Sequence, residues 1–240
     1  MPEYTTKLLD KREIAEGTMA FYVEKPAGFD FKPGQSADLT MLNPPENDEA
    51  GNIRTFSIAS APSETSLMFA TRLRDTAFKR ALRSLPAGAP FKIEGPSGGF
   101  NLHKNPSKPG VFLAGGIGIT PFMSMIREAA HAKDAHQLYM FYSNRRPEDA
   151  AFLRELEETP QKNANFHLIG TMAEMEKSKQ NWAGERGFIN AAMLKRHLPS
   201  LSGPIFYVAG PPGMVAAMRD MLTQAGVDED DIRTEDFPGY

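Results

Sequence analysis

The chain has 240 residues, 41% of them hydrophobic and 24% charged, with a formal net charge of -3. That length permits one large domain or two modest ones, and two is the expectation. The near balance of charge gives no reason to expect nucleic acid, and the absence of cysteine excludes disulfides, thiolate zinc sites and cysteine-ligated iron–sulfur clusters.

The N-terminus, MPEYTTKLLDKREIAEG, mixes both charges and lacks the apolar run of a signal peptide. No stretch approaches the roughly 20 apolar residues of a membrane span, so no membrane span and a cytoplasmic protein are expected. From Tyr4 to about Leu102 the chain reads as short strands, TMAFYVEKP, GQSADLTML, RTFSIAS, SLMFATRLR and PFKIEG, punctuated by turn residues. This is an antiparallel β pattern, closed or nearly closed, with one helix over TAFKRALRSL. RTFSIAS places Arg54 in a strand between apolar and small neighbours, either as half of a surface ion pair or as a binding residue.

The polar stretch HKNPSKPG, His103 to Gly110, marks a boundary, giving domains 1–102 and 103–240. Beyond it, VFLAGG, QLYMFYSN, NFHLIG and PIFYVAG are apolar runs of buried-strand type. Helical stretches alternate with them: TPFMSMIREAAHA, PEDAAFLRELEET, INAAMLKRHL and PPGMVAAMRDMLTQAG. Four strand-to-helix repeats argue for a parallel sheet covered by helices on both faces.

VFLAGGIGITPF ends a strand in a glycine-rich turn and opens a helix, with Thr120 expected at the N-cap and Pro121 at the first helical position. Amides at such a helix start suit a pyrophosphate. FYVAGPPGMV repeats the device, and two such turns beyond neighbouring strands mark a ligand site. The acidic DEDD run, Asp228 to Asp231, reads as a solvated loop. The five histidines show no ligand-like spacing; His131 and His136, near a helix end, are expected to be solvated.

The order RTFS, GPSGGF, GGIGITP, YSNRRPEDAAFLREL, AGPPGM and EDFPGY resembles the ferredoxin-NADP reductase superfamily of flavoproteins, over nearly the whole chain. The resemblance implies an antiparallel flavin-binding β-barrel followed by an α/β nucleotide-binding domain. In the strand motif, Arg54 would pair with a flavin phosphate, Phe56 would stack on the flavin, and Ser57 would bond flavin N5, with Thr55 between them. Phe56 departs from the commoner tyrosine, keeping the stacking face and losing a hydroxyl contact. Ala70, Thr71 and Arg72 would run along the ribityl and adenosine part, and Thr76, Ala77 and Phe78 would offer amides to the pyrophosphate of FAD. Lys79, Arg80 and Arg83 are expected to be merely exposed.

In the second domain the resemblance implies a nicotinamide dinucleotide turn over Gly115, Gly116, Gly118, Thr120 and Pro121, with Ser143 and Arg145 in the site. Gly210, Pro211 and Met214 would close over the nicotinamide, with Ala209 where many relatives carry a cysteine. Tyr240, or else Phe237, would cover the other flavin face. Catalytic roles thus fall to Ser57, Thr120 and Tyr240. The arginines that NADPH-preferring relatives use are missing at Thr171, Met172 and Phe188, which favours NADH.

The implied function is an NAD(P)H-dependent flavoprotein reductase: a hydride passes from the nicotinamide to FAD N5, with no general base required and catalysis by positioning. A chain without cysteine cannot carry the iron–sulfur domain of many relatives, so the acceptor is expected to be separate. Ferredoxin, flavodoxin, a haem protein, a quinone and a ferric complex are all open. The alternative is a flavin- and nucleotide-binding electron-transfer or regulatory subunit of a larger complex.

Overall fold

The computed structural model describes residues 1–238. Two compact units emerge from its contacts. One comprises Met1–Asn101 together with Thr120–Glu128, and the other comprises Leu102–Ile119 together with the chain from Ala129 on.

The first unit is built on a six-stranded antiparallel sheet in the order β4-β3-β6-β1-β2-β5. Its strands are β1 (Glu3–Ala15), β2 (Thr18–Glu24), β3 (Ser36–Met41), β4 (Ile53–Ser57), β5 (Ser66–Arg72) and β6 (Pro90–Ser97). β1 was not among the expected strands. Most of its 13 residues are charged or exposed, and only Thr6 and Leu8 are buried, so the period-2 signal is faint. Its first half pairs with β6 and its second half with β2, and register shifts follow Leu8 and Glu13. Such irregularities bend a strand, which lets β1 serve both neighbours of a curled sheet.

Inside the curl, Phe21, Leu39, Leu67, Phe69, Phe91 and Ile93 form the core. Helix α1 (Ala77–Ser84) adds Phe78, Ala81 and Leu82 to it. Those positions share one helical face, and each large side chain removed from water contributes roughly 1.5–3 kcal/mol. Thr76 is its N-cap, with Oγ1 accepting from Lys79 N at 3.3 Å. Ser124 and Arg127, on the helical stretch that belongs to this unit, donate to Ser60 O at 2.7 Å and Ala59 O at 2.9 Å.

The second unit carries a six-stranded parallel sheet, β10-β9-β8-β7-β11-β12. β7 (Gly110–Gly115), β8 (Leu138–Asn144), β9 (Phe166–Met172) and β11 (Ile205–Gly210) are the four expected strands. β7 and β11 are buried at every position, as strands covered on both faces must be. The two strands not foreseen lie at the sheet edges. β10 (Glu185–Arg186) is two residues long, and β12 (Ile232–Asp236, IRTED) carries charges suited to an edge. The helices of this half of the chain are α2 (Thr120–Ala132), whose Thr120–Glu128 stretch belongs to the first unit, α3 (Leu153–Glu158), α4 (Ala191–His197) and α5 (Pro212–Gln224).

The DEDD run is solvated, as expected: Asp228, Glu229 and Asp230 are exposed, and Asp228 caps a 3-10 turn over Glu229–Asp231, accepting from Asp230 N at 3.0 Å, which feeds β12. One further expectation fails. His136 is not solvated. It is 4% exposed, pairs with Asp134 and sets its ring edge-on to His103 at 4.7 Å, because it enters β8 beneath the linker.

Candidate functional site

In the first unit the expected flavin residues gather at the C-terminal end of β4 and the start of α1. Arg54 is half-buried, with its guanidinium 4.8 Å from the centre of the Phe78 ring. Its Nη1 donates to Ala50 O at 2.8 Å and Gly51 O at 3.0 Å. The next residues alternate as a strand requires: Thr55 is exposed and bonds Asp38, Phe56 turns inward, and Ser57 follows. Phe56 lies 6.2 Å from Phe69 and 6.1 Å from Phe78, so its ring is fixed from two sides.

Ser57 is 3% exposed, and its Oγ has no hydrogen-bond partner in the structure. A buried hydroxyl left unpaired costs stability, so its survival at a strand end suits a ligand contact. The residues therefore fit a flavin: an orphaned hydroxyl, a fixed aromatic ring, a guanidinium and a capped helix start lie on consecutive positions or on packed neighbours. Ala70 and Thr71 are buried on β5 and Arg72 ends the strand half-exposed.

Sequence reasoning missed Arg74 and undervalued Lys79. Lys79 is half-buried, and its ammonium is held below the usual lysine range by burial first, then by Arg74 and Arg54. Three cations crowd the helix start where an anion would sit. Arg80, by contrast, is paired with Glu46 and Asp75 instead of standing free.

In the second unit the glycine-rich turn departs from the expected geometry. Gly116–Ile119 form a 3-10 helix that runs into α2, so Ile119 is the N-cap and Thr120 stands inside the helix. Pro121 therefore takes the second helical position, still among the four whose N–H groups lack intrahelical partners. Thr120 is buried, and within the turn only Gly116, at φ +54°, is partly exposed.

The two turns foreseen at neighbouring strands are in contact. A Cβ at Gly118 would lie 2.3 Å from Ala209 O and 2.7 Å from Gly210 Cα, both backbone atoms. At Gly115 the nearest atom would be Met214 Sδ, at 2.2 Å. Pro211 is the N-cap of α5, and its carbonyl accepts from Met214 N at 2.9 Å. Phe237 N donates to Gly210 O at 3.0 Å, bringing the chain after β12 to the same strand end. Tyr240 lies outside the described residues.

Beyond β8, Ser143 is half-buried and Arg145 exposed, and both Arg145 and Arg146 pair with the buried carboxylate of Asp149. Thr171 is fully buried with Oγ1 donating to Gly187 O at 2.7 Å, and Phe188 is 76% exposed.

Glu235 was not singled out in the sequence, where it only opens the stretch EDFPGY. One carboxylate oxygen is buried without a partner, and burial, followed by Asp236, pushes its carboxyl up to about 7. The folded protein thus holds a proton that the unfolded chain releases near pH 4.5. Stability should fall as pH rises from about 4.5 to about 7, by on the order of 2 kcal/mol. Denaturant titrations should show this slope and show it flattened in Glu235→Gln; equal slopes would mean the carboxyl titrates normally.

A family model described as "Oxidoreductase NAD-binding domain" matches residues 112–220, within the second unit's sequence and the helix between. The glycine betaine monooxygenase reductase subunit of Chromohalobacter salexigens is 31% identical over 223 residues, 92% of this chain and 60% of that protein. Ferredoxin–NADP reductase B of Sorangium cellulosum is 29% identical over 245 residues, 98% of this chain and 97% of the relative. The chain spans about 60% of the length of the first curated relatives it matches. Among solved structures, the flavohem-like FAD/NAD binding domain of nitric oxide dioxygenase from Vibrio cholerae O1 biovar El Tor matches with a TM-score of 0.83 at 19% identity. That match covers 97% of this chain and 98% of the other. A curled antiparallel sheet, a parallel sheet with its glycine-rich strand ends, and these matches along the chain lead to one conclusion: the chain has the fold of ferredoxin-NADP reductase-like FAD/NAD-binding proteins.

Proposed function

We propose that the chain is an NAD(P)H-dependent flavoprotein reductase that delivers electrons to a separate acceptor. The observation that carries the reading is the Ser57 hydroxyl, buried and unpartnered beside Phe56 and three positions after Arg54. FAD, when bound, supplies the redox centre that accepts a hydride at N5. Ser57 is assigned the hydrogen bond to that position, Phe56 the apolar face, and Arg54 with the amides of Thr76, Ala77 and Phe78 the phosphates. Ala70, Thr71 and Arg72 are assigned to the rest of the flavin.

In the second unit Gly115, Gly116 and Gly118, with Thr120 and Pro121 at the start of α2, are assigned to the nicotinamide dinucleotide. Ser143, Arg145, Gly210, Pro211 and Met214 complete that set, with Tyr240, or else Phe237, assigned to the other flavin face. NADH is favoured as donor. Thr171 is spent on a backbone carbonyl, Met172 is buried and Phe188 is apolar, so none of the three offers a cation to a 2′-phosphate. Arg145 shares Asp149 with Arg146, which reduces the charge it can lend. No described helix is long and apolar enough to cross a membrane, and a cytoplasmic location goes with a nicotinamide donor. An oxygenase component, as in the name of the Chromohalobacter relative, is the acceptor class to test first.

The flavin-loaded protein should reduce ferricyanide with NADH faster than with NADPH; no turnover with either donor would overturn the reductase reading. Ser57→Ala should keep its flavin and lose about tenfold to a hundredfold in turnover. Full turnover with flavin bound would remove Ser57 from the reaction.

A further inference from the structure

The β3–β4 loop, residues 42–52, carries Glu46, Asp48 and Glu49 shortly before Arg54. Asp48 folds the loop on itself: its Oδ1 accepts from Ala50 N at 3.0 Å, and its carbonyl accepts from Gly51 N at 2.9 Å. This turn leaves the same Oδ1 4.0 Å from Arg54 Nη2, while Ala50 and Gly51 carbonyls hold Nη1. Glu46 reaches across to α1, where its oxygens accept from Arg80 Nε at 3.0 and 3.1 Å and from Nη2 at 2.7 Å. Two of the cations around the helix start therefore face loop carboxylates. Lys79 and Arg74 have no carboxylate partner among the described residues, and Lys79 is half-buried beside like charges.

A carboxylate beside a cation cancels part of the field that an incoming anion feels. The ligand with the densest charge loses most. FMN ends in a phosphate monoester that is dianionic above about pH 6, whereas each phosphate of the FAD pyrophosphate carries one charge. We propose that Glu46 and Asp48 are specificity-determining residues that make the site select FAD over FMN. By joining Asp75 on Arg80 and neutralising part of Arg54, the loop withholds the charge a terminal dianion needs, and leaves enough in Lys79 and Arg74 for the singly charged phosphates of a pyrophosphate. The proposal rests on the reading of Arg54 as the flavin-phosphate partner.

The test is flavin-fluorescence titration of flavin-stripped protein with FAD and with FMN, in the parent, Asp48→Asn, Glu46→Gln and the double variant. Asparagine keeps the turn to Ala50 and glutamine keeps an acceptor for Arg80, so charge is removed with little change of shape. The parent should bind FAD at least about tenfold more tightly than FMN. Each single variant should narrow that ratio up to about fivefold, the scale of an exposed ion pair, mainly by tightening FMN. The narrowing should shrink at pH 5.5, where the FMN phosphate carries one charge, and in high salt. A parent that binds FAD with a ratio unchanged in all three variants would overturn the proposal and leave the flavin reading intact. A parent that binds neither flavin would overturn both.

Discussion

Arg54→Ala is expected to leave the protein without flavin after gel filtration. Arg54 is the second residue of β4, stacks over Phe78 and faces the same helix start as Arg74 and Lys79. Each charge-assisted hydrogen bond to a phosphate is worth about 1.5–3 kcal/mol, which is roughly a tenfold to hundredfold loss of affinity. The substitution also frees the Ala50 and Gly51 carbonyls, so the β3–β4 loop should loosen. Arg54→Lys should recover part of the affinity, because lysine restores charge without the fork. Flavin content equal to the parent's in Arg54→Ala would remove this residue from the site.

Gly118→Ala should be the most damaging single-methyl change in the second unit. Its Cβ would meet the Ala209 carbonyl at 2.3 Å and Gly210 Cα at 2.7 Å, and neither can rotate away. Two strand-end turns would have to separate, at a cost of about 3 kcal/mol or more. Because both turns are assigned to the nicotinamide, NADH affinity should fall with stability. Gly115→Ala provides the contrast, since its Cβ meets Met214 Sδ, the end of a flexible side chain. Thermal unfolding and NADH titration of the two variants should rank Gly118→Ala well below Gly115→Ala; equal behaviour would mean the close approach at Gly118 is not required.

The fold was legible where side chains declare burial. VFLAGG and PIFYVAG are apolar on both faces and became β7 and β11, side by side. β1 and β12 were not read because most of their residues are polar or charged, and strand pairing with neighbours, not apolar periodicity, holds them. Thr120 was placed one step too early in its helix because the 3-10 segment Gly116–Ile119 extends the helical path backwards, and four residues with two glycines give no helical signal.

The candidate site divides in the same way. Arg54, Phe56 and Ser57 lie within four residues, so one strand displays them and one short motif reveals them. The helix start at Thr76 was legible for a similar local reason, and the structure makes Thr76 its cap. Glu46 meeting Arg80, Lys79 beside Arg54, and Glu235 losing solvent at a sheet edge depend on tertiary proximity that no local spacing encodes. His136 shows the same limit from the other side, since a polar residue after a helix reads as solvated until a linker covers it.

The most direct test of the reductase assignment is anaerobic: the FAD-loaded protein is mixed with NADH, and separately with NADPH, while flavin absorbance is followed. Rapid bleaching with NADH, and slower bleaching with NADPH, is the predicted result. A protein that stays yellow with both donors would contradict the account.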